Sequence, residues 1–227
     1  QRSAILLLNR SILSSVAKVS GGEGIRIKPV GMHTKAEWTI QMSAIYSSLT
    51  RSNLTTAYLS NGTGGEFYTR ISSTAGIQVK NGRDGDDTWT QIPLQAGKWL
   101  HITYVHKDKK TTVYVNGKVQ KVFENSAITF GENSMIVVGN SGYRNDYLRE
   151  IRLWDKALTE SEINDYLYLP MDPATPHLIS YLPLSKEMET KDLKAPAGTE
   201  NVTTKARIEY VENVKFPADE LVIVNQE

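Results

Sequence analysis

The chain of 227 residues contains no cysteine. Disulfide bridges, zinc sites built on thiolates and thiol nucleophiles are therefore excluded. This absence alone leaves the cellular compartment open. A small animal extracellular module would more often carry disulfides, whereas a large exported bacterial domain has a core big enough to do without them.

An excess of charge of either sign is also missing. The 26 Lys and Arg residues balance 25 Asp and Glu residues, which gives a net charge of +1. No global field therefore favours nucleic acid or an anionic membrane as a partner.

Long hydrophobic runs are missing as well. The apolar run Ala4 to Leu8 is too short to span a bilayer, and Asn9-Arg10 interrupts it before it could form a signal-peptide core. We therefore expect no membrane insertion. Because the chain begins at Gln1, we expect a processed product or a fragment of a longer parent chain, whose other domains are candidate partners.

Catalytic and metal-binding motifs are scarce. The nucleophile elbow Gly-x-Ser-x-Gly does not occur. His101 and His106 lie five residues apart on one predicted strand, so their side chains face opposite sides and cannot jointly hold a metal without a bulge.

Segments that alternate or run apolar fill most of the chain between clusters of Gly, Asn, Asp and Ser, which is typical of strands joined by turns. The predicted strands are 24–29, 37–43, 67–72, 76–80, 88–92, 99–106, 111–115, 118–123, 135–139, 178–184, 206–212 and 220–224. We predict an all-β fold, a two-sheet antiparallel β-sandwich (jelly roll). One domain over 1–227 is the default, with 177–227 as closing strands or a small C-terminal appendage; closure is preferred.

Two hairpins are legible in the middle of the chain. Lys107-Asp108-Lys109-Lys110 is predicted as a polar four-residue loop. Asn116-Gly117 is predicted to form a type I′ turn, because both residues tolerate positive φ.

One short helix is predicted near residues 160–168. Thr159 and Glu162 form a capping box, and Leu158 and Ile163 occupy the positions of a hydrophobic staple. The helix should end at about Tyr168, before Pro170, and should bury the side chains of Ile163, Tyr166 and Leu167.

Three motifs carry a family resemblance. They are Trp38-Thr39-Ile40, the stretch Ala96-Gly97-Lys98-Trp99 with Tyr114-Val115-Asn116-Gly117-Lys118, and the stretch Ile151 to Ile163 after Val138-Gly139-Asn140. They resemble motifs of laminin G-like jelly-roll domains of the concanavalin A-like lectin/glucanase superfamily, over about residues 24–165. The resemblance implies a bacterial exported protein that acts extracellularly or at the cell surface.

Recognition by such a domain is expected at loops on the rim. Trp89 and Tyr143 are predicted to stack on sugar rings, with core packing as the preferred alternative for Trp89. Trp38, Trp99 and Trp154 are predicted to be structural. The predicted hydrogen-bonding residues of the glycan site are Asp86, Asp87, Arg144, Asn145 and Asp146.

Calcium is the one cofactor to weigh. Asp84, Asp86 and Asp87 offer three carboxylates around a glycine turn, and many relatives bind calcium in rim loops. More oxygen ligands follow at Asn140, Asn145 and Asp146. The acidic run lacks the EF-hand pattern, so a solvated turn is the preferred interpretation and a calcium site the alternative.

The predicted function is therefore a non-catalytic, carbohydrate-binding recognition module whose partner is a glycan or a surface protein. One alternative is a protein-interaction or structural accessory domain of a larger surface protein. A second is a diverged glycoside hydrolase, because the superfamily includes glucanases. Their motif Glu-x-Asp-x-x-Glu is missing here, so we predict that the chain is not an enzyme.

Overall fold

The computed structural model describes residues 15–21, 24–49, 54–60, 67–81, 89–124, 131–139 and 143–212, with the single residues 214 and 217. In these ranges the chain forms two antiparallel sheets, one 3-10 turn at Met32–Thr34 and one helix, α1 (Glu160–Asp165). The strands are β1 (Val16–Gly21), β2 (Ile25–Ile27), β3 (Trp38–Ile45), β4 (Leu54–Ser60), β5 (Phe67–Ser72), β6 (Gly76–Asn81), β7 (Trp99–Lys107), β8 (Lys110–Val115), β9 (Lys118–Phe123), β10 (Met135–Val138), β11 (Tyr143–Trp154), β12 (Leu178–Leu182), β13 (Val202–Thr204) and β14 (Arg207–Val211).

Eight strands form the larger sheet, in the order β14-β1-β11-β3-β7-β8-β9, and β12 pairs with the second half of β11. The smaller sheet has six strands in the order β13-β2-β10-β4-β5-β6. The predicted all-β fold of antiparallel sheets with one short helix is confirmed.

The main core lies between the inner faces of the two sheets. Trp38 on β3 is 1% exposed. Its ring stacks on His106 at a centroid distance of 5.0 Å and meets Phe67 of the other sheet edge-on at 5.2 Å. Aromatic burial of this kind supplies a large share of the stability of a sandwich.

A second core covers the outer face of the larger sheet. Residues 155–177, which we call the outer segment, contain α1 and close on themselves where the Asp155 amide donates to the His177 carbonyl at 3.0 Å. Leu158, Ile163 and Met171 of this segment pack in one cluster with Trp154 of β11. The larger sheet is therefore buried on both faces at this point.

The capping box of α1 is present as predicted: the Thr159 hydroxyl accepts from the Glu162 amide, and the Glu162 carboxylate accepts from the Thr159 amide. The predicted end of the helix is wrong, because α1 ends at Asp165. Tyr168 has a φ of 56°, which a right-handed helix does not allow, and Arg152 donates hydrogen bonds to the carbonyl oxygens of Tyr166 and Leu169 beyond the end of α1. Tyr166, predicted to be buried, is 41% exposed.

Two other local predictions are corrected. The loop after β7 has two residues, Asp108 and Lys109, both with positive φ, and Lys107 pairs with Lys110. The predicted strand 88–92 is reduced to one bridge between Trp89 and Gln78, since Gln91 has a φ of 59° and Pro93 follows. The Asn116-Gly117 turn has the expected positive φ at both residues.

The C-terminal strands join both sheets. β12 pairs with β11, β14 pairs with β1, and β13 pairs with β2 of the smaller sheet. The predicted strand 220–224 lies outside the described residues.

Candidate ligand-binding face

Trp89 lies where the edges of the two sheets approach each other. Its backbone bridges Gln78 on β6, and its carbonyl oxygen accepts a hydrogen bond of 3.3 Å from Nζ of Lys121 on β9. The residue is half-buried. Trp89 therefore covers an edge of the sandwich while part of it stays in contact with solvent.

Residues 143–146 form the start of β11, a strand of the larger sheet that lies far from β9. Asn145 has a φ of 62° and is the extra residue of a bulge against β1, and it is exposed. Asp146 is 2% exposed, and its Oδ1 accepts a hydrogen bond of 2.7 Å from the Ser47 amide. Of Tyr143 and Arg144 only the backbone is described, paired with Gly21 and Ser20.

The structure does not bring Trp89 and residues 143–146 into one cluster. β9, which contacts Trp89 through Lys121, is four strands away from β11. At about 4.8 Å between neighbouring strands, that separation is about 19 Å. The predicted glycan residues therefore occupy at least two separate places.

The acidic residues of the candidate calcium site, Asp84, Asp86 and Asp87, lie outside the described residues, as does Asn140. Within the ranges that the structure describes, no three His, Asp or Glu side chains come together as a metal site would require. Calcium therefore stays a prediction about the loop 82–88.

A different surface stands out: the outer face of the smaller sheet. Residues on β2 and β5 alternate between buried side chains, which face the core, and half-buried side chains on the opposite face. The pairing of β5 with β6 places Gln78 and Lys80 on that opposite face as well. The outward set, which we call the basic face, comprises Arg26, Tyr68, Arg70, Gln78, Lys80 and, through its bridge to Gln78, Trp89.

The pairing aligns these residues in rows across the strands. Arg26 pairs with Val137, Val137 with Tyr58, Tyr58 with Tyr68, and Tyr68 with Lys80. A second row runs through Arg70, Gln78 and Trp89. Val137 and Gln78 are buried among their neighbours, whereas the other members that carry described side chains are half-buried.

The charge of this face has one sign. The six strands of the smaller sheet contain Arg26, Arg70 and Lys80 and no Asp or Glu. The Arg70 guanidinium carbon lies 4.8 Å from the centre of the Tyr68 ring, an arrangement in which the cation holds the aromatic ring in place. The rows therefore combine aromatic surface with hydrogen-bond donors.

Two of these donors have no acceptor within the described parts of the chain. Nε of Arg26 and Nε of Arg70 are buried atoms without a hydrogen-bond partner among the described residues. Beside Arg26 lies an open cavity of about 140 Å³ that is also lined by Thr203, Thr204 and Lys205. Buried donors are normally paired, so the described residues leave the hydrogen-bonding capacity of both guanidinium groups incompletely used.

A second polar cluster lies beneath the outer segment. Glu150 and Arg152 form an ion pair whose side chains are 3% and 1% exposed. Burial raises the pKa of Glu150, although the Arg152 guanidinium opposes this shift. Burial, together with Arg152, lowers the pKa of His101 to about 3. Because this cluster is enclosed, we interpret it as an anchor for the outer segment.

Sequence reasoning missed the basic face. Its signal is one basic residue beside an inward apolar residue in each of three short strands, in the segments IRI, YTRI and QVK. The global net charge of +1 hides it. No local pattern indicates that β2 and β5 belong to one sheet, because β10 and β4 lie between them.

Two packed antiparallel sheets with a short helix over the outer face define the class of concanavalin A-like sandwiches. The chain belongs to the Laminin_G_3 family of the concanavalin A-like lectin/glucanase superfamily, whose profile matches residues 20–164. The resemblance inferred from the sequence over about residues 24–165 is thereby confirmed. A search of curated proteins gave no match.

Solved structures with the same fold include three informative ones. A Bacteroides ovatus protein to which carbohydrate binding is attributed aligns with a TM-score of 0.63 and 20% identity, covering 88% of this chain and 60% of that one. A heptameric SAP-like pentraxin from Limulus polyphemus aligns with a TM-score of 0.52 and 16% identity, covering 73% of this chain and 85% of that one. Domain 4 of a GH43 extracellular arabinanase from Geobacillus stearothermophilus, solved with arabinotriose, aligns with a TM-score of 0.51 and 19% identity. This alignment covers 66% of this chain and 76% of that one.

This chain thus spans 60% of the length of the Bacteroides protein. At these identities the likeness shows a shared fold. A search of the described helices for one long and apolar enough to cross a membrane found none.

Proposed function

We propose that this chain is a non-catalytic carbohydrate-binding module and that the basic face is its glycan-binding surface. The observation that carries the proposal is the alignment of Tyr68 and Trp89 with Arg70, Gln78 and Lys80 on one side of one sheet. Aromatic rings stack on the apolar faces of sugars, while guanidinium, amide and ammonium groups donate to hydroxyl and ring oxygens.

The relatives support this proposal at the level of class. Carbohydrate binding is attributed to the Bacteroides ovatus protein, and the arabinanase domain was solved with arabinotriose. Both share the sandwich with this chain. Because one fold carries many functions, the proposal depends on the residues of the face itself.

A binding role without catalysis is supported by the location of the acidic groups. A retaining glycoside hydrolase needs two carboxyl groups about 5 Å apart across a substrate groove. Glu150, whose pKa burial raises, is enclosed beneath the outer segment and paired with Arg152. The six strands of the proposed binding sheet carry no carboxylate.

The rim residues stay in the proposal as a second contact region. Asp86 and Asp87 come three and two residues before Trp89 in the chain, so a glycan on Trp89 is within reach of these residues and of any calcium bound by Asp84, Asp86 and Asp87. Tyr143, Arg144 and Asn145 begin β11 on the other sheet. An exported, cell-surface or extracellular location is part of the same proposal, since that is where glycan-binding modules meet their ligands.

A glycan array probed with the whole chain, with and without a calcium chelator, tests this function. We expect binding to a defined class of glycan. Weaker binding after chelation would assign calcium to the site, and unchanged binding would remove the calcium prediction alone. Binding to no glycan, with the fold intact by circular dichroism, would overturn the proposed function and favour a protein-interaction or structural role.

A further inference from the structure

The charge on the basic face restricts the kind of glycan. The smaller sheet carries three cations and no anion on its strands, although the whole chain is close to neutral. A neutral glycan needs no such imbalance, because hydroxyl groups are recognised equally well by acidic and amide side chains. An excess of positive potential selects a ligand of opposite charge.

The strongest single position is Arg26. Its side chain is half-buried, its Nε has no acceptor among the described residues, and the cavity beside it is lined by Thr203, Thr204 and Lys205. Guanidinium groups bind carboxylate and sulfate oxygens through paired hydrogen bonds. The hydroxyl of the exposed Thr203, which pairs with Arg26 across β13 and β2, is a further donor to the same anion.

Arg70 repeats this arrangement on β5, three strands from β2. Its guanidinium lies over the Tyr68 ring, and its Nε also lacks an acceptor among the described residues. No Asp or Glu is paired with either arginine in the part of the chain that the structure describes. Among the described residues, therefore, no carboxylate neutralises the charge of Arg26 or Arg70.

The length of the face sets the size of the ligand. From Arg26 on β2 to Lys80 on β6 there are four strand-to-strand steps, or about 19 Å at about 4.8 Å per step. A single sugar does not reach both ends. A ligand that contacts both is an oligosaccharide or a longer chain.

We propose that the basic face binds a glycan chain with repeated anionic groups, carboxylate or sulfate, and that Arg26, Arg70 and Lys80 recognise those groups. This inference rests on the proposed function and narrows its ligand. The affinity should fall as ionic strength rises, because exposed charge pairs are screened over about 8–10 Å in physiological salt.

The experiment compares matched ligands by isothermal titration of the whole chain. The probes are a uronic-acid oligosaccharide with its methyl ester, and a sulfated galactan oligosaccharide with its desulfated form. We expect one anionic ligand to bind at least about tenfold more tightly than its neutral counterpart, which corresponds to about 1.4 kcal/mol. The pair that shows the difference identifies the anion as carboxylate or sulfate.

Single substitutions test which residues cause the preference for the anionic ligand. Arg26→Gln and Arg70→Gln should each reduce the preference for the anionic ligand, whereas Arg26→Lys should keep part of it. Lys118→Gln is the matched control, since Lys118 is an exposed cation at the start of β9 on the other sheet. Thermal unfolding of each variant should stay close to that of the parent chain, so that a loss of binding is not a loss of fold.

The outcomes separate the two proposals. Equal affinity for the anionic and neutral members of both pairs overturns this inference and leaves carbohydrate binding intact. A preference that Lys118→Gln reduces as much as Arg26→Gln also overturns it, because the charge effect would then be non-specific. Binding to no glycan at all overturns the proposed function together with this inference.

Discussion

The Tyr168 hydroxyl donates a hydrogen bond of 2.6 Å to Oδ1 of Asn116, the first residue of the β8–β9 turn. The same oxygen accepts from the His101 amide at 2.9 Å. Asn164, four residues before Tyr168, donates from its Nδ2 to the Gly117 carbonyl at 2.9 Å. The Asn-Gly turn therefore fixes the outer segment to the larger sheet, and it links two sequence motifs that lie about 50 residues apart.

Gly117→Ala tests this link. Gly117 has a φ of 78°, and an added Cβ would lie 2.1 Å from Oδ1 of Asn164. We expect a loss of about 1–2 kcal/mol from the left-handed backbone, and about 1 kcal/mol more from the displaced Asn164 hydrogen bond. Gly97→Ala is the control, because Gly97 has a φ of 75° with nothing within 4 Å of the added atom. Equal losses for both variants in urea unfolding would argue against the contact.

Arg152→Met tests the anchor beneath the outer segment. It leaves the buried Glu150 carboxylate without its partner and frees the carbonyl oxygens of Tyr166 and Leu169. Removing one member of a buried ion pair costs about 3–5 kcal/mol. The double variant Glu150→Gln, Arg152→Met should be more stable than Arg152→Met alone, as measured by urea unfolding. If Arg152→Met alone unfolds at the same urea concentration as the parent chain, Arg152 does not anchor the outer segment.

The stability of the fold should depend on the protonation of His101. In the folded chain, burial and the nearby Arg152 lower the pKa of His101 from 6.5 to about 3. Between these pH values the unfolded chain binds more protons at this residue, so the free energy of unfolding falls as pH falls from about 6.5 towards 3. His101→Gln should reduce the slope of the free energy of unfolding against pH, by at most about 1.4 kcal/mol per pH unit.

Glu150 contributes with the opposite sign. Burial raises its pKa above 4.5, so the folded chain holds the proton more tightly, and above pH 4.5 this group destabilises the fold as pH rises. The comparison must therefore be between the parent chain and His101→Gln at each pH. If the free energy of unfolding changes with pH equally in both proteins from about pH 4 to 6.5, His101 is not the cause of the pH dependence.

Trp38 and Trp89 should respond differently to truncation. Trp38 is 1% exposed between Phe67 and His106, so Trp38→Ala should cost about 3–5 kcal/mol. Trp89 is half-buried at a sheet edge, and we expect Trp89→Ala to cost below about 2 kcal/mol. Glycan binding should fall in Trp89→Ala while the chain remains folded. A collapse of the fold would make Trp89 a core residue.

The sequence predicted those parts of the fold that local chemistry determines. The Asn116-Gly117 turn and the Thr159 capping box follow from residues that are neighbours in the chain. The residues around Tyr166 do not indicate the early end of α1, where Tyr168 has a positive φ and the Arg152 guanidinium of β11 donates to the carbonyl oxygens of Tyr166 and Leu169.

The candidate site likewise depends on residues that are distant from one another in the chain. Trp89 was recognised as a residue between core and ligand roles, and the structure places it at an edge beside Gln78. Arg26, Tyr68 and Lys80 come from three separate segments, and the pairing of β2, β10, β4, β5 and β6 aligns them. Such long-range pairing has no signature in a single sequence, so a surface built from it stays hidden.

The central claim is that the outer face of the smaller sheet binds glycans, and Tyr68 tests it most directly. The measurement is the titration of an array-positive glycan into the parent chain, Tyr68→Ala and Tyr166→Ala. Tyr166 is the matched control, because it is 41% exposed and follows α1 over the other sheet. We predict that Tyr68→Ala weakens binding at least about tenfold, or about 1.4 kcal/mol, and that Tyr166→Ala binds like the parent chain. Unchanged affinity in a folded Tyr68→Ala would contradict the account.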